Sequence, residues 1–304
     1  MREFQIVGVG YSCVDMICMV DDYPVENSST HITSRIIQGG GASATAIVAA
    51  SILGSKCAFI GNLGNDMVSD ECIRMFKEEG VCTDYLIKRD DCFGLESFVM
   101  VDPKSGSRTK FPQRDFNPPI DWTQNLKDVI KNCSVVHLDG THYENALNAA
   151  KIAKEYGVTV SLDGCSMQAD NEKNRTLATL ADILIMNSKY PLRVSGKPTY
   201  NEALIEMSTW GRKKIVGCTL GEDGSKFLID GEVVDFPSFK APKVVDTTGC
   251  GDVFHGSFLS AYVSGMGLGT CIRFASATAS CKCAVPGGRA GIPDRKTVLK
   301  MIGE

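Results

Sequence analysis

The sequence predicts an α/β protein built on a doubly wound, mostly parallel sheet with a small β lid. Three observations carry this. Short β-branched runs alternate with segments of helical length over most of the chain, the pattern of βαβ units. Glycines punctuate the ends of both kinds of segment. Strand pairs that need no helix between them fall in two early blocks, near 12–38 and 94–115, which can join in space as a separate small sheet. The economical division is one domain over 1–304, with the lid formed by those two blocks.

The elements follow in order. Phe4–Tyr11 reads as a buried strand ending in Gly8 and Gly10. An acidic turn at Asp21–Pro24 leads to a more polar strand, Thr30–Ile37. Gly39, Gly40 and Gly41 open an Ala-, Ile- and Val-rich helix over Ala42–Leu53, with Gly54 where a helix stop belongs. Cys57–Ile60 is a strand, and Val68–Glu79 a helix stopped by Gly80. Phe98–Val101 and Arg108–Phe111 are strand-like, with a hairpin turn at Asp102–Gly106 between them. Strands then fit at Val135–Leu138, Val158–Leu162, Ile183–Met186 and Ile215–Cys218. Helices fit at Asn145–Tyr156, Lys173–Leu180 and Asn201–Arg212. A second hairpin spans Lys226–Asp235. Helices at Asp252–Ser264, Gly269–Ala284 and Asp294–Ile302 complete the chain.

Composition narrows the function. Hydrophobic residues make up 43% and charged residues 22%, as in an ordinary globular protein. The net charge of −4, from 32 basic and 36 acidic residues, offers no excess to neutralise a phosphate backbone, so a nucleic-acid partner is not expected. The 13 cysteines include no CxxC pair, and the start Met1–Phe4 runs directly into a strand, so no leader is expected. They read as small buried hydrophobes in a reducing cytoplasm. The most apolar stretch, Ile6–Val20, is interrupted by Asp15, so no membrane span is expected.

The strongest local signal is the run Asp246-Thr247-Thr248-Gly249-Cys250-Gly251-Asp252. An apolar pair enters a glycine-rich turn from which a helix starts. Unpaired amides of Gly249, Cys250 and Gly251 can point at an anion there, aided by the helix dipole. A carboxylate beside them, Asp252, suits removal of a proton from a hydroxyl nucleophile; the alternative is that Asp252 only caps the helix. No lysine follows the glycines, so this is not a P-loop. The run Thr219-Leu220-Gly221-Glu222-Asp223-Gly224 could line a phosphate tail or form a plain tight turn. Gly39–Gly41 could admit a ligand or serve close helix packing. Gly8-x-Gly10 lacks the third glycine of a dinucleotide fingerprint.

In this order and spacing, these runs resemble the ribokinase-like (PfkB) carbohydrate kinases over nearly the whole chain. Asp246–Asp252 is similar to that family's D-T-x-G-A-G-D signature, with Cys250 in the Ala place. Gly40–Thr45 through Gly61–Asp66 resembles its N-terminal signature, and Thr219–Gly224 its T-x-G-x-x-G nucleotide loop. The resemblance implies a Rossmann-like fold with a β-clasp lid and transfer of the ATP γ-phosphoryl group to an alcohol. It implies Asp252 as base, with the amides of Gly249, Cys250 and Gly251 as anion hole. Thr219, Gly221 and Gly224 would line the nucleotide. Asp15, Gly40, Gly41 and Thr45 would bind the sugar, with Arg108 reaching in from the lid. Mg²⁺ would accompany ATP, K⁺ would sit at Asp246, and lids would pair between chains as a homodimer.

Asp15 to Pro24 with Ser105–Thr109 is similar to ketohexokinase, and Asp252–Gly256 with Pro286–Asp294 to 6-deoxy-6-sulfofructose kinase, so a fructose-type ketose is the expected acceptor. There are departures. Thr45 stands where the family usually has Asn. Asn187 of an N-x-x-E motif is present, but Tyr190 replaces the Glu, which leaves Mg²⁺ to waters or to Glu222. Thr141 stands where the sulfosugar kinase has an arginine, which favours a neutral sugar. A nucleoside acceptor stacking on Phe98, Phe111 and Phe116, a sugar phosphate held by Lys104, Arg108, Lys110 and Arg114, and a non-catalytic sugar- or nucleotide-binding regulator remain alternatives.

Overall fold

The computed structural model describes residues 2–102, 108–165, 168–241 and 243–304. The chain opens with strand β1 (Phe4–Val9), followed by β2 (Cys13–Val20) and β3 (Ile32–Gly40). Helix α1 (Ala42–Ile52), β4 (Cys57–Leu63), α2 (Met67–Glu78) and β5 (Leu86–Lys88) come next. β6 (Glu96–Val101) and β7 (Arg108–Pro112) form a hairpin whose expected turn lies, from residue 103 on, outside the described residues. Alternation then resumes: α3 (Gln124–Lys131), β8 (Cys133–Leu138), α4 (Tyr143–Glu155), β9 (Thr159–Gly164), α5 (Asn171–Leu180) and β10 (Ile183–Met186). Two short helices, α6 (Tyr190–Ser195) and α7 (Tyr200–Ser208), precede β11 (Ile215–Thr219) and the hairpin β12 (Ser225–Ile229) and β13 (Glu232–Phe236). Helices α8 (Cys250–Val263), α9 (Leu268–Lys282) and α10 (Arg295–Ile302) end the chain.

The main sheet has nine strands in the order β13-β12-β11-β10-β9-β8-β1-β4-β5, and all but β12 and β13 run parallel. Strand alternation splits its side chains into two cores. Val7 and Val9 of β1 face the cluster under α3, α4 and α7, while Ile6 faces the one under α1, α8 and α9. Helices α1 and α8 are apolar nearly all round because each is sandwiched between the sheet and another helix. Strand order reverses between β1 and β8. In sheets of this kind the ligand crevice opens outside the carboxyl ends of the strands at that point.

The second sheet has four strands in the order β3-β2-β6-β7, drawn from the two early blocks. Its register puts Gln38, Asp15, Ser97 and Pro112 in one row and Ile37, Met16, Phe98 and Phe111 in the next. Successive residues point to opposite faces, so Asp15 lies on one face and Phe98 on the other.

Several expectations need correction. Helix α7 stops at Ser208, four residues before the expected Arg212; Gly211 then takes a left-handed turn and the Thr209 hydroxyl donates to the Glu206 carbonyl. The strand expected at Thr30–Ile37 instead covers Ile32–Gly40, since pairing with β2 carries it into the glycines. Helix α3 and the short β5 and α6 were not expected at all.

Candidate active site

Asp252 sits in the first turn of α8. That helix has Gly249 as N-cap with no side-chain cap bond, so the carboxylate is not spent on capping. Gly249 takes a left-handed φ of 74°, and a Cβ there would collide with the Gly288 carbonyl, so only glycine makes this turn. The Cys250 amide closes the turn on the Thr247 carbonyl at 3.3 Å, so it contributes less to an anion hole than the motif suggests. Gly251 is exposed and open, and amides of a helix's first turn have no intrahelical acceptor.

Behind Asp252 lies a buried polar layer at the strand ends. His255, one turn along α8, holds Nε2 3.1 Å from Asp163 Oδ1 at the end of β9. His137 packs beside it with ring centroids 5.6 Å apart, and its Nδ1 meets the Ser161 hydroxyl at 3.1 Å. Burial and His255 push His137 down to about 3, so it is neutral. Burial alone would raise the Asp163 carboxyl, yet His255 beside it holds it below its usual range. Burial and then the Asp163 charge push Asp252 up to about 7. Asp139, after β8, accepts from the amides of Tyr11 (2.9 Å), Ser43 (3.1 Å) and Thr141 (2.8 Å), tying three loops together at the switch point.

Asp15 lies on the inner face of the second sheet, with Cys13 Sγ 3.3 Å from Oδ1. A Cβ on Gly40 would collide with this carboxylate, which explains a glycine there. Burial raises the Asp15 carboxyl, while Lys110 of β7 and Arg289 oppose that rise. Lys110 also acts on Asp252, so its ammonium lies within electrostatic range of both carboxylates. Arg108, two residues earlier on β7, pairs with Asp246 Oδ1 at 3.1 Å and lies 3.3 Å from the Thr247 hydroxyl. It therefore bridges the second sheet to the turn before α8.

Thr45 is only 2% exposed, and its hydroxyl accepts from Arg289 Nε at 3.4 Å. It stands behind the Gly39–Gly41 loop rather than open to a ligand. Arg289 makes the reach instead: it bonds the Gly40 carbonyl (3.3 Å) and Glu79 (2.7 Å) and stacks on Phe76. Sequence reading gave Arg289, Asp163 and Asp139 no role, and named Lys110 only as one of four basic residues that could hold a sugar phosphate. The signal for the two aspartates was there, because each follows a strand and precedes a glycine at the carboxyl end of the sheet.

Beside the turn opens a cleft of about 930 Å³, lined by Thr219, Gly221, Gly224, Lys240, Gly251 and Ser280 among others. Phe239, Val244 and Ala279 give it an apolar wall. The Ser280 hydroxyl is buried without a hydrogen-bond partner. Asn187 does not face this cleft as a ligand: its carbonyl caps the amides of Lys189 and Tyr190, both at 3.0 Å, and its amide donates to the Cys165 carbonyl. Tyr190 is a core residue whose hydroxyl donates to the Asn174 carbonyl.

Two metals were expected. Among the described residues, no cluster of three or more His, Cys, Asp or Glu groups is arranged to hold an ion. Mg²⁺ fits as an ion carried by nucleotide phosphates and water, its usual mode. K⁺ at Asp246 does not fit. The Asp246 carbonyl accepts from Lys282 Nζ at 2.9 Å, and its carboxylate accepts from the amides of Thr248 and Gly287, both 2.8 Å, besides Arg108.

The aromatic residues expected to stack a nucleoside do not line the inner face. Phe98 and Phe111 share the outer row with Ile37, and Phe116 is 71% exposed under the Arg114 guanidinium.

Comparisons with known proteins agree with this fold. The model for "pfkB family carbohydrate kinase" matches residues 4–295, and the chain belongs to that family. Mouse (Mus musculus) ketohexokinase is 25% identical over 294 residues, covering 94% of this chain and 98% of that protein. A nucleoside kinase of Methanothermobacter thermautotrophicus is 28% identical, covering 98% and 96%. The solved structure of Arabidopsis thaliana ribokinase with ribose and ATP superposes with a TM-score of 0.86 at 27% identity, covering all of both chains. The chain is thus a phosphotransferase with an alcohol group as acceptor.

Proposed function

We propose that the protein transfers the γ-phosphoryl group of Mg·ATP to a primary hydroxyl of a neutral ketose of fructose type. The observation that carries this reading is Asp252: an uncapped carboxylate, raised toward neutral pH, beside the open amides of a helix start. The adjoining cleft, with its apolar wall and glycine-rich floor, suits a nucleotide whose phosphates run to the start of α8. The sugar would lie between Asp252 and the inner face of the second sheet, its hydroxyls donating to Asp15 and accepting from Lys110. That sheet then acts as a lid that excludes water from the transfer.

Asp252 would accept the hydroxyl proton as the oxygen attacks in line. The amides at the start of α8 would hold the charge that spreads over the equatorial oxygens. Bound Mg²⁺ would neutralise part of that charge. Its water shell would be ordered by Asp252 and Glu222 rather than by an N-x-x-E glutamate.

A neutral acceptor is supported over a sugar phosphate by the state of the basic residues. Arg108 is paired with Asp246, Arg289 with Glu79, and Arg114 stacks on Phe116, which leaves Lys110, between the Asp15 and Asp252 carboxylates, as a single cation toward the acceptor; Lys104 lies outside the described residues. The outward direction of Phe98 and Phe111 counts against a nucleoside. The same outer row, with Ile37 42%, Phe98 46% and Phe111 50% exposed, is an apolar face suited to a second copy of the chain. We take the protein to be a cytoplasmic homodimer through that face.

The test is ADP release with Mg·ATP against fructose, other ketoses, sulfofructose, ribose, fructose 6-phosphate and adenosine. Highest kcat/KM on a neutral ketose is expected. Preference for ribose, adenosine or fructose 6-phosphate would overturn the acceptor while leaving the phosphotransfer intact.

A further inference from the structure

Lys282 ends α9 and is wholly buried, at 0% exposure. A buried ammonium is costly unless its surroundings hold it. Its ammonium donates to a backbone carbonyl, that of Asp246, at 2.9 Å. The same corner is tied twice more: the amides of Val245 (2.8 Å) and Asp246 (3.1 Å) both donate to the Cys283 carbonyl. The end of α9 therefore clamps the entry to the Asp246–Asp252 turn by three bonds, one of them from a cation. Cys250 within the turn and Cys283, the residue after Lys282, approach to 3.2 Å between sulfurs, so the end of α9 also touches the start of α8.

We propose that Lys282 is a built-in cation that positions this turn and makes it positive, so that the protein needs no K⁺ or Na⁺. An ammonium tethered to the fold cannot dissociate, and it supplies at Asp246 the single positive charge that a bound monovalent ion would supply. Its place on the carbonyl is the physical reason that K⁺ does not fit there. Lys282 is a positioning residue: it holds the backbone whose amides face the anion and adds a fixed field to them.

The test compares potassium chloride with tetramethylammonium chloride at equal ionic strength. The wild-type melting temperature is expected to differ by less than about 1 °C between them. Lys282→Ala opens a pocket of ion size, and K⁺ or ammonium, not tetramethylammonium, should raise its melting temperature by about 2 °C or more, as binding to the folded state requires. A wild type stabilised by K⁺ to that extent, or a folded Lys282→Ala indifferent to K⁺, would overturn the proposal. If Lys282→Ala does not fold, Lys282→Met keeps the volume without the charge. Its ATP affinity by calorimetry should fall about tenfold, with no rescue by K⁺; unchanged affinity would overturn the proposal. The melting arms do not depend on the acceptor or the nucleotide. The calorimetric arm rests on ATP binding, and a wild type that binds no ATP would sink that reading separately.

Discussion

Asp252 is raised toward pH 7 by its own burial and by Asp163, and this sets how activity and stability respond to pH. A base must be ionised, so kcat/KM should climb through an acid limb near pH 7 and level above it. Stability should run the other way. The folded carboxyl keeps its proton at a pH where the unfolded one, near 3.8, has lost it, so stability falls as pH rises from about 4 to about 7. Asp252→Asn removes that loss. Its melting temperature should match wild type at pH 4 and exceed it by about 2 °C or more at pH 8, by scanning calorimetry. Equal melting temperatures at pH 8 would mean the carboxylate is not strained. At this scale sequence reading singled out candidates inside contiguous motifs, Gly40, Asp246 and Asp252, and Asp15 through the family resemblance. It did not show Arg289 or Lys282, because each acts on residues that are close only in the folded chain, Gly40 and Asp246 respectively.

Strand β7 carries two cations, Arg108 and Lys110, on alternate positions of one face, and they serve different elements. Arg108 pins the second sheet to the turn before α8. The pair is partly exposed and worth about 1 kcal/mol or less to folding. Its loss should therefore show in substrate capture rather than in stability. Arg108→Ala should raise the sugar KM about tenfold, the effect of one lost positioning contact, with the melting temperature shifted by about 2 °C at most. An unchanged KM would remove the pair from the closing of the sheet. Long helices were legible: α2, α8 and α9 begin within two residues of their expected starts, and the apolar run of β10 has its expected bounds. Short helices were not. Residue Tyr190 was weighed as the fourth place of a metal motif, whereas it starts α6 and fills the core. In α3 the apolar spacing of Leu126, Val129 and Ile130 was the available signal, masked by five polar neighbours in an eight-residue helix.

Across the whole molecule, one sheet presents its carboxyl edge to a second, smaller sheet, and the candidate groups Asp15, Lys110 and Asp252 face that junction. The two-sheet plan was legible because the early blocks lacked helices. The pairing β3-β2-β6-β7 was not, since register joins residues far apart in sequence. That register makes the outer row of Ile37, Met16, Phe98 and Phe111, and with it the proposed dimer. Light scattering should give twice the 32.8 kDa chain mass for wild type, and a single chain mass for Phe98→Asp combined with Phe111→Asp. A wild-type monomer would contradict it. Whether Asp252 is the base of an ATP-dependent phosphotransfer is decided by one comparison. ADP formation with Mg·ATP and the best acceptor is measured for wild type and Asp252→Asn, with ATP affinity measured alongside. In the variant kcat should fall by about three decades while ATP binds within a few-fold of wild type. Turnover within tenfold of wild type, with ATP bound as tightly, would contradict it.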